Sequence, residues 1–278
     1  MKKNNSLVIM AGGASSRMKK TVDSIELSKS TKEVAKKAHK SLIPLGTSGK
    51  PLLHYLLQNA KGAAYTKVYL ITALENQDFK DFLSANTYEG LSVYFAIQHI
   101  PEGREKPLGT ADAILQAMEQ FPELQQSQFT LCNGDNLYSE KALSLLREER
   151  TTPNAVMSYS RSGFQFDDEK ISKFAAMKLD SEGFLTDIIE KPSPSEIDTY
   201  RDASGELRLS MNTFSFEGSF IYPFLKACPM NPARGEKELP QAVLNMIAKH
   251  PKSMIGIPIS EHLPDLTAAQ DIQNFEEF

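Results

Sequence analysis

Tryptophan is missing from this 278-residue chain, and cysteine occurs only at positions 132 and 228. Two cysteines so far apart supply neither a disulfide framework nor a metal-ligand spacing. Cys132 and Cys228 both lie in apolar surroundings and are expected as buried thiols in a reducing compartment. The histidines (His39, His54, His99, His250 and His262) likewise show no metal-ligand spacing among themselves and read as structural or exposed. No run of about 18 apolar residues occurs, so a membrane-spanning helix is not expected. The opening MKKNNSLVIMAGGAS imitates a secretion signal, but only about five strongly apolar residues precede Gly12, against the roughly 7–15 that such a signal needs. A cytoplasmic location is the expectation. A net charge of −4, with 24% charged residues, provides no global basic field to attract nucleic acid.

What is present is enough apolar sequence, 41% of residues, to bury a sizeable core. Short β-rich runs at 6–11, 67–72, 92–97, 129–133 and 154–159 are predicted strands, and the nearly uniform apolarity of SLVIMA predicts a strand covered on both faces. Helices are predicted over 50–60 with Pro51 early in the first turn, over 110–121 with Thr110 as N-cap, and over 139–149 with Ser139 as N-cap. Strand then helix, repeated, is the α/β doubly wound pattern, in which ligands bind beyond the strand C-termini. The second half predicts a hairpin over 173–192 turning at Asp180 to Gly183, one strand over 207–216, and helices over 235–250 and 264–278. With no internal repeat and no low-complexity linker, residues 1–278 are expected to form a single domain.

Gly12 and Gly13 follow the first strand at once, then Ser15, Ser16 and Arg17. A buried strand feeding a turn with little Cβ bulk suits an anion, because backbone N–H groups converge where no side chain blocks them. Neither GGASSRM nor GTSGKPL meets the Walker A pattern, and the dinucleotide fingerprint G-x-G-x-x-G is missing. The lysine-rich stretch 21–40 reads either as a solvated helix after Ser30 or as a lid over a triphosphate.

AGGASSRM, with a lysine further on in HKSLIPLGTSGKPLL, resembles the sugar-phosphate nucleotidyltransferase family. The resemblance continues in order through FAIQHIPEGREKPLGTADAI (95–114), LCNGDNLYS (131–139), FLTDIIEKPSP (184–194), LSMNTFSF (209–216) and HLPDLTAAQD (262–271). It implies a Rossmann-like three-layer α/β/α fold with a mixed, mostly parallel central sheet, whose nucleotide-binding half covers about 1–135 and sugar-phosphate half about 136–278. The implied reaction is transfer of a nucleoside monophosphate from a triphosphate to a sugar 1-phosphate, with Mg²⁺ and release of pyrophosphate. Carried over motif by motif, Ala11, Gly12 and Gly13 would cradle the triphosphate, with Arg17 and Lys40 as the catalytic cations. Gln98, Gly109 and Thr110 would read the base. Glu190, Lys191 and Asn212 would hold the sugar phosphate, and Asp135 and Asp265 the metal. Bland readings stay open beside these: Asn212 as a satisfier of backbone groups, Asp135 as a turn cap, Asp265 as a cap of the last helix.

The departures are specific. Ser15 stands where the family has a third glycine, a form also found in molybdopterin nucleotidyltransferases. The interval from Arg17 to Lys40 is long, so Lys19, Lys20, Lys36 or Lys37 could take the place of Lys40. NTFSF lacks the family glycine, and Pro264 and Thr267 alter the C-terminal motif. Alternative readings are therefore a molybdenum-cofactor-type nucleotidyltransferase or a non-catalytic nucleotide-binding regulatory protein of the same fold. Small-molecule partners are expected, neither nucleic acid nor membrane. Nothing here reads out an oligomeric state.

Overall fold

The computed structural model describes residues 4 to 275. Its strands, in chain order, are β1 (Ser6–Met10), β2 (Pro44–Leu45), β3 (Lys50–Pro51), β4 (Lys67–Thr72), β5 (Ser92–Ile97), β6 (Gln128–Asn133), β7 (Asn154–Ser160), β8 (Ala175–Leu179), β9 (Leu185–Glu190), β10 (Arg208–Ser210), β11 (Phe214–Glu217) and β12 (Met254–Ile259). All but the small β2–β3 ribbon join one sheet in the order β5-β4-β1-β6-β11-β7-β10-β8-β9, with β12 paired to β7. β5, β4, β1 and β6 are parallel, whereas β11 runs antiparallel to both β6 and β7. The sheet is mixed and mostly parallel on its N-terminal side, as the sequence implies.

β1 shows why the first apolar run is uniform. Leu7 and Ile9 face one core with the helix Leu52–Gly62, and Val8 faces the other with the helices Thr110–Gln120 and Leu239–Lys249. Each of the three is fully buried, which stabilises the fold by roughly 1.5–3 kcal/mol per side chain. Cys132 and Cys228 are buried, free thiols. Among the described residues, no helix is long and apolar enough to cross a membrane.

Several local expectations are corrected. The cap before Thr110–Gln120 is Gly109, not Thr110, whose hydroxyl instead accepts the Leu239 N–H at 2.9 Å. Pro51 is the N-cap of Leu52–Gly62 rather than part of its first turn, because Lys50–Pro51 pairs with Pro44–Leu45. The helix read over 235–250 starts at Leu239, since residues 237–239 zip onto 108–111 through Lys237 N–H to Leu108 O (2.6 Å) and Ala111 N–H to Lys237 O (3.0 Å). The described part of the last helix is the 3₁₀ segment Ala269–Phe275; its final three residues lie outside the described residues.

The predicted strand 207–216 is broken into β10 and β11. Both halves pair with β7, but β10 continues to β8 while β11 continues to β6. The sheet therefore forks at Met211, Asn212 and Thr213, where Asn212 has φ 51° and Thr213 O still accepts the Met157 N–H at 3.0 Å. A hydrogen-bonded strand cannot follow two diverging neighbours without such a break. The hairpin turn is as expected: Gly183, at φ 87°, donates to Asp180 O, and the Asp180 carboxylate accepts the Glu182 and Phe184 N–H groups.

Candidate active site

The C-terminal ends of β1 and β6 meet because Gly134 N–H donates to Met10 O at 2.9 Å; a Cβ on Gly134 would stand 2.9 Å from that same oxygen. This close approach sets the Gly12 turn beside Asp135. Ala11 is buried and its N–H is spent on Ile71 O (2.8 Å), so it contributes no free donor. From Gly12 to Arg17 no backbone N–H has an acceptor among the described residues. Successive unspent N–H groups of this kind make an anion-binding concavity.

Ser15 accounts for its own departure from the family pattern. It adopts φ 54°, the left-handed conformation a glycine would take, and its Oγ accepts the Lys40 N–H at 3.0 Å. That bond spans the lysine-rich insert and fixes where Lys40 emerges. The Lys40 ammonium then pairs with the Asp135 carboxylate. Lys36 is spent on Asp23 at the surface (2.6 Å). The insert itself is a turn, Val22–Ser24, and a helix, Lys29–Lys37, anchored by the buried side chains of Val22 and Ala35 and by Ala269 N–H to Thr21 Oγ1 (3.0 Å). His39 caps the turn before Lys40, its Nδ1 accepting the Ser41 N–H at 3.2 Å and standing 2.8 Å from Ser41 Oγ. Burial and then the Lys40 charge lower its pKa to about 4, so the ring is neutral near pH 7.

The residues that the resemblance implies for the base also come together. A Cβ on Gly12 would stand 3.0 Å from Gln98 Oε1, and Gln98 Nε2 donates to Gly109 O at 3.1 Å. Gly109, at φ 114°, packs so closely on residue 237 that a Cβ would stand 2.4 Å from Lys237 O, which only glycine allows.

Beyond them lies a cavity of about 680 Å³, within the range of small-molecule sites. Arg17, Asp135, Glu190, Lys191, Asn212 and Asp265 all line it. A smaller pocket of about 100 Å³ shares Glu190, Asn212 and Arg234 with it and reaches Met10 and Thr110. Lys191 (φ 50°) and Asn212 (φ 51°) both hold the left-handed conformation, and with Ser15 they make three of the five described non-glycine residues with positive φ. Strain of this kind gathers where a side chain must be aimed. The Asn212 amide engages none of the described residues, so it does not serve the neighbouring backbone.

The sequence reading missed Lys170, Lys173, Arg234 and Asp271, which line the same cavity. Arg234 bridges Glu190 (3.0 Å) and Glu238 (2.6 Å), while Lys173 pairs with Glu169 (2.9 Å). The Lys170 ammonium lies 3.0 Å from Asp265, pairs also with Asp271, and stands 4.4 Å from the Phe166 ring centre. Burial opposes the charge on Lys170, but the two carboxylates outweigh it and raise its pKa. Asp265 is raised too, by burial and then by the charge of Asp135, which together outweigh the lowering effect of Lys170. In sequence, FDDEKISKF looks like any solvated charged stretch. No local signal could have marked Lys170.

A parallel α/β half that ends in a turn of unspent N–H groups is thus joined to a forked, mainly antiparallel half whose cavity is lined with cations. The family model for nucleotidyl transferases matches residues 6–255, and the chain belongs to that family. Among curated proteins it is similar to the chloroplastic/amyloplastic glucose-1-phosphate adenylyltransferase small subunit of Triticum aestivum, 24% identical over 198 residues. That match takes in 68% of this chain and only 38% of the relative's length. Among solved structures it is similar to a protein of Bacillus anthracis described as a glucose-1-phosphate thymidylyltransferase, determined with sucrose (TM-score 0.69, 19% identity, 98% of this chain and 94% of that one). It is similar also to a UDP-glucose pyrophosphorylase determined with UDP-glucose (TM-score 0.70, 16% identity, 99% and 97%). At these identities the two structures establish the fold.

Proposed function

We propose that this protein transfers a nucleoside monophosphate from a nucleoside triphosphate to a sugar 1-phosphate, releasing pyrophosphate. One observation carries the reading. Lys40, Lys170, Lys173 and Arg234 are each paired with a carboxylate, whereas Arg17 and Lys191 form no ion pair among the described residues. These two uncommitted cations face one cavity, Arg17 beside the N–H-rich turn and Lys191 at the far end of β9. Two phosphorylated substrates would supply the missing anions.

In the reaction a phosphate oxygen of the sugar 1-phosphate attacks the α-phosphorus and pyrophosphate leaves, so no protein nucleophile is needed. The protein's task is to hold two anions in line and to offset the charge that builds at phosphorus. The free N–H groups of residues 12–17 and the Arg17 guanidinium take the triphosphate, with Lys40 held beside them by Ser15. Gln98 and the Gly109 backbone receive the base. Lys191 binds the sugar phosphate, with the Asn212 amide and Glu190 directed to sugar hydroxyls.

Mg²⁺ fits the donor chemistry at Asp135. Among the described residues only one oxygen of that carboxylate is engaged, by Lys40, and the side chain keeps 22% of its surface exposed to the cavity. No described cluster of three or more His, Cys, Asp and Glu is arranged to hold an ion. Mg²⁺ commonly takes one or two carboxylates and fills its shell with water and phosphate oxygens. When bound, it supplies neutralisation of charge on the phosphate oxygens.

The experiment is a matrix of nucleoside triphosphates against sugar 1-phosphates with Mg²⁺, read by pyrophosphate release. Turnover by at least one pair is expected. Nucleotide binding without turnover by any pair would return the chain to the non-catalytic reading.

A further inference from the structure

Asp135 and Asp265 are brought to one place by the backbone. Asn136 bridges to Asp265, Leu266 N–H donates to Asp135 O at 2.8 Å, and Leu137 N–H donates to Pro264 O at 3.0 Å. Each carboxylate pairs with one lysine, Asp135 with Lys40 and Asp265 with Lys170, but their surroundings otherwise differ. Asp265 is enclosed, with 7% of its side chain exposed, and its carboxylate is filled by protein donors: Asn136 Nδ2 and Thr267 Oγ1 on one oxygen, both at 3.1 Å, and Lys170 Nζ on the other. Lys170 is fixed in turn by Asp271 and by the Phe166 ring, and Asp271 spends its other oxygen on the Thr267 and Ala268 N–H groups. Asp265 therefore meets three protein donors, on both of its oxygens, where Asp135 meets one, and it has correspondingly less acceptor capacity left for a divalent ion.

We infer that Lys170 withdraws Asp265 from metal coordination, so that the divalent cation of this site is held by Asp135 as its only carboxylate. The inference rests on the nucleotidyltransferase reading for the presence of a metal. For Asp265 it replaces the ligand role implied by the family resemblance with a positioning role. The Asp265–Lys170–Asp271 cluster ties residues 265–271 to the segment between β7 and β8, closing one wall of the cavity.

The test is a titration of Mn²⁺ alone into the full-length protein, with free Mn²⁺ read by its electron paramagnetic resonance signal. Asp135→Asn is expected to weaken binding tenfold or more, and Asp265→Asn to leave it within twofold of wild type. Lys170→Met, which releases Asp265, is expected to tighten binding threefold or more, and Lys170→Arg to restore the wild-type value. A merely structural Lys170 would alter melting without moving Mn²⁺ affinity, so unchanged affinity in folded Lys170→Met would overturn the inference. So would a loss in Asp265→Asn equal to that in Asp135→Asn, a comparison that stands even if Lys170→Met does not fold. Wild-type protein that binds no Mn²⁺ would overturn both this inference and the metal-assisted reading beneath it, whereas a loss on Asp265→Asn overturns this one alone.

Discussion

Replacing Lys191 with glycine should make the protein more stable and less competent at once. At φ 50° a residue with a Cβ carries about 1–3 kcal/mol of backbone strain. Glycine removes that strain and gives back about 0.5–1 kcal/mol in unfolded-chain entropy. Lys191 is exposed and forms no ion pair among the described residues, so its loss leaves no carboxylate stranded. The net expectation for Lys191→Gly is a gain of about 1 kcal/mol, or roughly 2 °C in Tm for a chain of this size. Lys191→Ala keeps the Cβ and the strain and should melt like wild type. On the proposed reading both variants lose a charge-assisted hydrogen bond to the sugar phosphate, about 1.5–3 kcal/mol. KM for that substrate should therefore rise roughly 10- to 150-fold. Thermal melts and pyrophosphate release with varied sugar 1-phosphate check the two halves separately. If Lys191→Gly melts no higher than Lys191→Ala, the strain argument fails; if KM stays within about twofold of wild type, Lys191 does not hold the phosphate.

Arg17→Ala should act on the other substrate, lowering kcat by roughly a hundredfold with little change in KM for the sugar phosphate, because in the proposed reaction its guanidinium would face the phosphates undergoing exchange. Kinetic changes matching those of Lys191→Ala would contradict the separate roles. His39 should make stability depend on pH. Its folded pKa of about 4 lies below the unfolded value near 6.5, so the unfolded chain takes up the proton first as pH falls; stability is intact above pH 6.5 and drains away between about 6.5 and 4, by up to about 3 kcal/mol and less to the extent that water reaches this half-buried ring. Denaturant melts at pH 7 and pH 5 should show that loss in wild type and a smaller one in His39→Asn, which keeps a capping side chain without a titrating ring.

The parts of this molecule that were legible in the sequence are those set by short-range physics. The run of residues 6–11 reads as a strand buried on both faces because Leu7 to Ala11 each meet one core or the other, and Ser139 reads as a cap because Ser139 Oγ does accept the Ala142 N–H. The fork at Asn212 was not legible, since alternation within 207–216 says nothing of two diverging neighbours, and Lys170 gains its meaning only from carboxylates 95 and 101 residues away by the numbering. Ser15 falls between these cases: its mismatch with the family glycine was visible, but not what it accomplishes. The structure gives it two functions, a left-handed turn and an acceptor for the Lys40 N–H, and substitution separates them. Ser15→Ala keeps the strain and loses the hydrogen bond, which should cost about 1 kcal/mol. Ser15→Gly loses the same bond but relieves strain of similar size, so it should melt close to wild type. Both release the start of the Lys40 turn, so both should lower kcat with KM for the sugar phosphate unchanged. A Ser15→Gly protein with full turnover would mean that Lys40 needs no tether across the insert, and that its pairing with Asp135 is enough to place it.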